Sequence, residues 1–179
     1  MKKDYTKIIP PRFQCAEFEG LSDEIKESAI EQLSKKKGIY FFGDVGTGKT
    51  FMAAAIAKMA IKKGINVKFL NTGELLENLR EEFDNPKDEE ESLFFEMMHF
   101  DGILVLDDIG SEKISVWARE RLYLIINKKY EEMLPIIFTS NCDLEILSAR
   151  MGDRVSSRIV EMTEILHITG PDKRLTINK

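Results

Sequence analysis

The stretch from residue 43 to residue 50 reads GDVGTGKT and fits the phosphate-binding loop pattern G-x-x-x-x-G-K-[S/T]. It follows residues 38–42, GIYFF, which predict a short buried strand. It begins a helical stretch over about residues 49–63, which Gly64 ends. A strand, a glycine-rich turn and a helix in this order are the context in which the pattern holds phosphate. The sequence therefore predicts a nucleotide site formed by Gly43, Asp44, Val45, Gly46, Thr47, Gly48, Lys49, Thr50 and Phe51.

The residue types of this loop suit a nucleoside triphosphate. Glycines let backbone N–H groups curve around phosphate oxygens, and the N-terminus of the following helix adds a positive dipole. Lys49 can neutralise the β- and γ-phosphates of the nucleotide. The Thr50 hydroxyl can bind Mg²⁺, which keeps most of its waters and needs few protein ligands. We therefore expect Mg²⁺ to accompany the nucleotide.

Two other strands are predicted to end in polar side chains. Residues 103–108 read ILVLDD, and residues 139–141, TSN, end another apolar run. Open α/β sheets bind ligands at the carboxyl ends of their strands. We expect Asp107 to bind Mg²⁺ and Asp108 to polarise a water against the γ-phosphate; alternatively, Asp108 caps the next turn. The Asn141 amide could hydrogen-bond the γ-phosphate or the same water.

Strands and helices alternate along the rest of the chain. Strands are predicted over residues 65–69, 102–107, 136–139 and 164–169. Helices are predicted over about residues 71–84, 89–100, 118–133 and 143–160, the last with a break near Gly152. This alternation predicts an α/β fold with a parallel sheet that helices cover on both faces.

Composition and charge favour one ordinary globular domain. The 179 residues are 43% hydrophobic but contain no apolar run long enough to span a membrane, and we expect no signal peptide. The formal net charge is −5, whereas residues 77–96 hold nine acidic and two basic residues, a local charge of −7. The remainder is therefore +2, so the overall acidity says little against a nucleic-acid partner.

The cysteines and histidines do not form a metal-binding pattern. Cys15 and Cys142 lie far apart, and neither has ligand spacing to His99 or His167. Two inert thiols in a reducing compartment are the simplest interpretation, so we expect a cytoplasmic protein.

Three arginines recur every four residues before the last predicted strand, at Arg150, Arg154 and Arg158. On one continuous helix they would form a cationic ridge. One interpretation is a solvated helix face. The other is that the ridge supplies an arginine to the site of an adjacent subunit, because arginine stabilises the transition state of phosphoryl transfer.

The chain resembles the AAA+ ATPases of the DnaC/DnaI helicase-loader and IstB transposition-helper group. The similarity is carried by GDVGTGKT, ILVLDDIG, SVWARERLYLIINKKY, FTSN and RVSSRI, and it runs from about residue 9 to residue 174. The opening IIPPRFQCAEFEGL resembles the segment that lies over the adenine in that group, which implies nucleotide contacts from Arg12 and Phe13. The resemblance also implies ATP as the nucleotide.

The resemblance implies a three-layer αβα P-loop fold. Its five-stranded parallel sheet would have the order 5-1-4-3-2, and no C-terminal helical lid would follow. Residues 1–37 would form an N-terminal segment with the first helix, and residues 38–179 would form a single AAA+ core. The helices at about residues 71–100 correspond to an insertion that lines a central channel and helps to contact single-stranded DNA. Because this insertion is acidic here, we expect DNA contact to come from elsewhere in the chain or to be weak and salt-sensitive.

The resemblance also assigns roles to individual residues. Asn141 would be the first sensor residue, between the phosphate-binding loop and Asp107. Arg158 matches the arginine finger of the group, with Arg154 as the second choice. Arg174 is a possible substitute for the second sensor that a lid would carry.

The resemblance thus implies an ATPase that hydrolyses ATP between the subunits of a homo-oligomer and acts on a replicative helicase in DNA replication. The 37 residues before the first predicted strand are fewer than the helicase-binding domain of the loaders needs, so we expect that module to be missing. A transposition helper of the IstB type shares every catalytic residue and remains an alternative.

Two further alternatives belong to other functional classes. A small-molecule kinase would need an arginine-bearing lid and an acceptor pocket, neither of which is visible in the sequence. A non-hydrolysing regulatory module is disfavoured by the intact Lys49, Asp107 and Asp108.

Overall fold

The computed structural model describes residues 4–85, 88–111 and 115–173. In these residues the chain forms five strands and seven α-helices. The strands are β1 (Gly38–Phe42), β2 (Val67–Asn71), β3 (Ile103–Asp107), β4 (Ile136–Ser140) and β5 (Thr163–His167). The helices are α1 (Asp23–Ser34), α2 (Lys49–Lys62), α3 (Thr72–Asp84), α4 (Leu93–His99), α5 (Val116–Glu131), α6 (Leu144–Met151) and α7 (Asp153–Met162). Short 3₁₀ turns precede α1 and α4.

The five strands form one parallel sheet in the order β2-β3-β4-β1-β5. This is the predicted order read from the other edge, so the prediction is confirmed. The three central strands are almost wholly buried, whereas β2 and β5 at the edges are partly exposed. Their apolar runs suit this placement, because a strand covered on both faces has no side that must be polar.

Helices cover both faces of the sheet, as the α/β interpretation requires. One apolar cluster joins α1 and α2 to the sheet, and alanines of α2 from Ala53 to Ala57 let that helix approach the strands closely. A second cluster on the other face contains residues of α3 to α7. The three-layer arrangement brings the N-terminus of α2 to the end of β1, which is where the phosphate-binding loop lies.

Several element boundaries differ from the predicted ones. Strand β2 begins at Val67 instead of residue 65, because the chain is still leaving the turn at Gly64, which has a φ of +85°. Helix α4 begins at Leu93 instead of residue 89. There Ser92 caps it by accepting from the backbone N–H of Phe95, and the Glu82 carboxylate accepts from the N–H of Leu93 at 2.6 Å.

The break near Gly152 is confirmed, and it corrects the prediction of one arginine ridge. Gly152 adopts a φ of +89° and separates α6 from α7. Arg150 therefore lies on a different helix from Arg154 and Arg158. The spacing of four residues does not align all three side chains, because the helical repeat is interrupted between them.

The structure leaves two expectations about the C-terminus open. Arg174, the expected substitute for the second sensor, lies outside the described residues. The other residues from 175 to 179 also lie outside them, so the expectation that no lid follows is not tested.

Among the described helices, none has the length and apolar character that crossing a membrane requires.

Candidate nucleotide site

A cavity of about 420 Å³ opens at the carboxyl ends of β1, β3 and β4. Its lining comes from the phosphate-binding loop, from the residues that follow β3 and β4, and from both ends of the chain. The lining residues are Arg12, Phe13, Cys15, Val45, Gly46, Gly48, Lys49, Thr50, Phe51, Asp108, Asn141 and Lys173. The sheet order explains the convergence, because β4 lies between β1 and β3 and all three strands run in the same direction.

The phosphate-binding loop holds Lys49 in a buried position at the start of α2. The Lys49 ammonium donates to the backbone carbonyls of Gly43 at 2.8 Å and Asp44 at 2.7 Å. The Thr47 hydroxyl also donates to the Asp44 carbonyl, at 2.9 Å. Gly46 and Gly48 have φ values of +83° and +101°, a backbone region that favours glycine. The loop is therefore ordered around its lysine, with the ammonium beside the cavity.

Asp107, at the end of β3, is held through both its carboxylate and its backbone carbonyl. The Thr139 hydroxyl donates to Asp107 Oδ1 at 2.6 Å, and the Thr72 hydroxyl donates to the Asp107 backbone carbonyl at 2.8 Å. Thr139 Oγ1 also accepts from the backbone N–H of Asp108 at 2.9 Å. One buried hydroxyl thus connects both acidic residues to β4.

The backbone of Asp108 turns sharply at this point. Its φ is +58°, which is uncommon for a residue that carries a side chain. The chain continues through Ile109, whose N–H donates to the Thr139 carbonyl at 2.9 Å. The strained turn separates the roles of two neighbouring carboxylates, because Asp107 is buried whereas Asp108 lines the cavity.

Burial raises the pKa of Asp107 above its ordinary value. The hydroxyls of Thr139 and Thr50 act in the opposite direction by hydrogen-bonding the carboxylate, the nearby Asp108 raises the pKa further, and Lys49 lowers it. The ionised carboxylate is therefore costly in the protein alone, and a cation beside it would offset that cost. Asp107 and Thr50 supply oxygen atoms, which are the ligands that Mg²⁺ prefers, so these residues fit the predicted ion.

The loop that carries Asn141 is fixed by buried hydrogen bonds. The Tyr40 hydroxyl donates to the Cys142 carbonyl at 2.8 Å, and the Ser140 hydroxyl donates to the Ile109 carbonyl at 2.7 Å. Burial raises the pKa of Tyr40, so this phenol stays protonated and remains a donor. Asn141 itself is exposed and shares the cavity with Asp108.

The candidate finger residues lie away from this cavity. Arg158 on α7 donates from Nε to Asn127 Oδ1 at 3.0 Å, and its guanidinium lies 4.3 Å from the centre of the Tyr130 ring. Arg154 is exposed, with its guanidinium 5.7 Å from the centre of the Tyr123 ring. Both arginines line a separate surface depression of about 420 Å³. The structure therefore does not bring either arginine into the chain's own nucleotide cavity.

A family model for the IstB-like ATP binding protein matches residues 23–179. The chain belongs to this family. Members of the IstB-like family share a P-loop, ATP-binding core of the AAA+ type, which agrees with the fold and with the phosphate-binding loop.

Individual relatives of this IstB-like chain come from two groups. The replicative helicase loader DnaI of Bacillus subtilis (strain 168) is 28% identical over an alignment of 165 residues, which covers 88% of this chain and 51% of DnaI. The putative ATP-binding protein of insertion sequence IS5376 from Geobacillus stearothermophilus is 28% identical over 148 residues, 80% of this chain and 57% of that protein. The chain thus spans little more than half the length of these relatives.

A solved structure is similar over nearly the whole IstB-like chain. The crystal structure of the DnaC helicase loader superimposes with a TM-score of 0.76 and 30% sequence identity, covering 89% of this chain and 100% of that one. This similarity confirms the P-loop fold and the resemblance to the loader group.

Several contributors to the site of this IstB-like protein are not predicted from the sequence. Thr139 carries no role in the sequence analysis, although its place near the end of the apolar β4 is a usable signal. Lys173 has no motif around it, and its place in the cavity follows from the path of the chain after β5. Arg150 donates to the Gly110 carbonyl, a contact that depends on the break between α6 and α7.

Proposed function

We propose that this chain is an ATPase that hydrolyses ATP to ADP and phosphate in the cavity beside the phosphate-binding loop. The observation that carries the proposal is that Lys49, Thr50, Asp108 and Asn141 line one cavity. A phosphate-binding lysine, a carboxylate and an amide in one small space are the groups that orient a water against a γ-phosphate. Membership of an ATP-binding family supports the choice of nucleotide.

Binding uses the phosphate-binding loop. Its backbone N–H groups and the positive end of α2 attract the phosphates, and Lys49 exchanges its contacts with the Gly43 and Asp44 carbonyls for phosphate oxygens. Arg12 and Phe13 line the same cavity and would contact the base and ribose side of the nucleotide. Thr50 and Asp107 would hold Mg²⁺, which when bound neutralises phosphate charge.

Hydrolysis uses the carboxylate and the amide that line the same cavity. Asp108 polarises a water and accepts its proton, while the Asn141 amide orients that water toward the γ-phosphorus. The water oxygen forms a bond to the γ-phosphorus, opposite the oxygen that bridges the β- and γ-phosphates. The bond between the γ-phosphorus and this bridging oxygen breaks, and ADP leaves with its electron pair.

We propose further that copies of the chain assemble and that Arg158 of one copy completes the site of the next. Two observations support this: Arg158 and Arg154 lie together on an accessible part of α7, and neither arginine lines the chain's own cavity. An arginine supplied from a neighbour contributes about 10³- to 10⁵-fold in rate in related phosphoryl-transfer enzymes. Activity of the isolated chain should therefore be slow.

A mixing experiment tests the shared site. Lys49→Ala removes the phosphate clamp and Arg158→Ala removes the finger, so each variant alone should be inactive. In an equal mixture, about a quarter of the interfaces pair an intact clamp with an intact finger, and activity should recover. Arg80→Ala, which changes an exposed arginine on α3, is the matched control. Inactive mixtures, or wild-type activity per subunit that is flat across the assembly range, would exclude the shared site.

The partner we propose is a replicative helicase, because relatives named as helicase loaders cover most of this chain in sequence and in structure. A transposition helper is the second candidate, supported by the family description and by the insertion-sequence relative. Single-stranded DNA is a weak partner at most. The groove between α3 and α4 is lined by Glu81, Glu82, Glu91 and Glu96, whose charges repel phosphates.

Capture of the partner distinguishes the two candidates. Asp108→Asn should retain ATP without hydrolysing it, so the ATP-bound state can be used as bait in a lysate of the host. Recovery of a hexameric helicase supports the replication role, whereas recovery of a transposase supports the second candidate. Lys49→Ala, which should not hold ATP, is the control for nucleotide-dependent capture.

A further inference from the structure

The chain after β5 lies along the phosphate-binding loop. We call residues 168–173 the tail segment. At its start, the Ile168 N–H donates to the Phe42 carbonyl at 2.7 Å. At its end, the Lys173 N–H donates to the Gly46 carbonyl at 2.9 Å. The tail segment is therefore anchored beside both the beginning and the middle of the loop, which fixes where its last side chains lie.

Side-chain packing confirms how close this approach is. A Cβ atom built on Gly46 would lie 1.9 Å from Asp172 Oδ1, so the carboxylate of Asp172 rests directly on the loop glycine. The loop can accept this approach because it has a glycine here. Lys173, the next residue, lines the cavity, whereas Asp172 lies on Gly46.

The Lys173 ammonium lies next to the part of the loop that receives phosphate. A Cβ atom built on Gly48 would be 3.3 Å from Lys173 Nζ and 3.5 Å from its Cδ. Gly48 immediately precedes Lys49 and caps the N-terminus of α2. Three side chains that carry positive charge, those of Arg12, Lys49 and Lys173, thus line the same cavity. A polyphosphate is the ligand that such a set of cations attracts most strongly.

We propose that Lys173 is a nucleotide-binding residue, supplied by the tail segment of the same chain, that contacts the polyphosphate of ATP or ADP. The proposal rests on the proposed function, because it requires that a nucleotide occupies this cavity. Lysine suits the role, since its flexible stem lets a point charge follow the phosphates as they settle on the loop. The tail segment would then report whether nucleotide is bound, since its end is held by both the loop and the ligand.

The test compares nucleotide affinity in four variants with that of the wild type. Lys173→Met removes the charge but keeps the length of the side chain, Lys173→Arg keeps the charge, and Lys63→Met is a matched control at an exposed lysine after α2. Lys49→Ala tests the nucleotide site itself. Dissociation constants for ATP and ADP are measured by isothermal titration with Mg²⁺ present, and melting temperatures are measured without nucleotide.

For Lys173→Met we expect dissociation constants about tenfold higher for both nucleotides, because the substitution removes one charge-assisted hydrogen bond at a partly exposed site. Lys173→Arg should stay within about threefold of the wild type, Lys63→Met should be unchanged, and the melting temperatures without nucleotide should agree.

Three outcomes overturn a claim, and they can be told apart. If Lys173→Met binds ATP like the wild type while Lys49→Ala has lost binding, the role of Lys173 is wrong and the proposed function stands. If Lys173→Met and Lys173→Arg both weaken binding and both lower the melting temperature without nucleotide, the tail segment is structural and the proposal is wrong. If Lys49→Ala also binds ATP like the wild type, the assignment of the nucleotide site to this cavity is wrong.

Discussion

Thr139→Val is the substitution whose effect the structure determines most closely. The Thr139 side chain is fully buried, and its hydroxyl makes two hydrogen bonds at once. It donates to the Asp107 carboxylate at 2.6 Å and accepts from the Asp108 N–H at 2.9 Å. Valine has nearly the same shape but cannot make either bond. The substitution therefore removes the connection between β4 and both acidic residues without opening a cavity.

The cost follows from those two bonds. A hydrogen bond to a charged group contributes about 1.5–3 kcal/mol, and a buried N–H left without an acceptor costs about 1–3 kcal/mol. The added methyl group returns about 0.8 kcal/mol. The free energy of unfolding should therefore fall by about 2–5 kcal/mol, which for a domain of this size lowers the melting temperature by about 4–20 °C.

Urea denaturation and thermal melting of the nucleotide-free protein measure this cost. Thr163→Val is the matched control, because Thr163 is also buried but its hydroxyl donates only to the Ile159 carbonyl, which also accepts the Thr163 N–H. That control should cost about 1 kcal/mol or less. Equal losses for the two variants would contradict the role of the Thr139 hydroxyl in holding Asp107 and Asp108. Since the Thr139 hydroxyl lowers the pKa of Asp107, Thr139→Val should also move the onset of Mg²⁺-dependent ATP binding to higher pH.

Three other substitutions have defined outcomes. Burial raises the pKa of Asp107 above its ordinary value of 3.8. Between the ordinary and the raised pKa, the folded state keeps a proton that the unfolded state has lost, so the free energy of unfolding falls as pH rises. Asp107→Asn should remove this slope and raise the melting temperature at neutral pH, as a pH series of melts would show, while it weakens Mg²⁺-dependent ATP binding. Lys129→Met should lower the free energy of unfolding, measured by urea denaturation, by about 2–4 kcal/mol, because the buried ammonium donates to two backbone carbonyls at the end of α4. Lys128→Met, the control, should change it little. Arg150→Ala removes the donor to the Gly110 carbonyl, which lies just beyond the turn at Asp108. It should lower kcat for ATP hydrolysis about three- to tenfold in steady-state assays without changing the dissociation constant of ATP. An unchanged kcat would contradict a role of Arg150 in positioning Asp108.

The sequence predicted the strand, the turn and the helix around residues 43–50 well, because the information that defines them is local. The motif, the strand before it and the helix after it lie within 25 residues, from residue 38 to residue 62, and each is determined by short-range patterns. Alternation of strands and helices was sufficient to predict a parallel sheet. The order of the strands required the family resemblance, because periodicity says nothing about which strand is the neighbour of which.

The side-chain contacts that complete the site could not be predicted from the sequence. Thr139 meets Asp107 because Leu106 pairs with Phe138 across β3 and β4, a register that no single-strand pattern defines. Arg150 leaves the arginine ridge because one glycine at residue 152 takes a positive φ. Lys173 enters the cavity only through the path of the tail segment. Each case depends on where two distant parts of the chain meet.

In the proposed mechanism Asp108 acts in hydrolysis and not in nucleotide binding. ATP affinity and single-turnover hydrolysis of Asp108→Asn, measured beside the wild type at a protein concentration at which the wild type is active, test this role most directly. We expect a dissociation constant for ATP within about threefold of the wild type and a hydrolysis rate reduced at least about 100-fold, because Asp108 would accept a proton from the attacking water. Hydrolysis by Asp108→Asn at the wild-type rate would contradict the proposed mechanism.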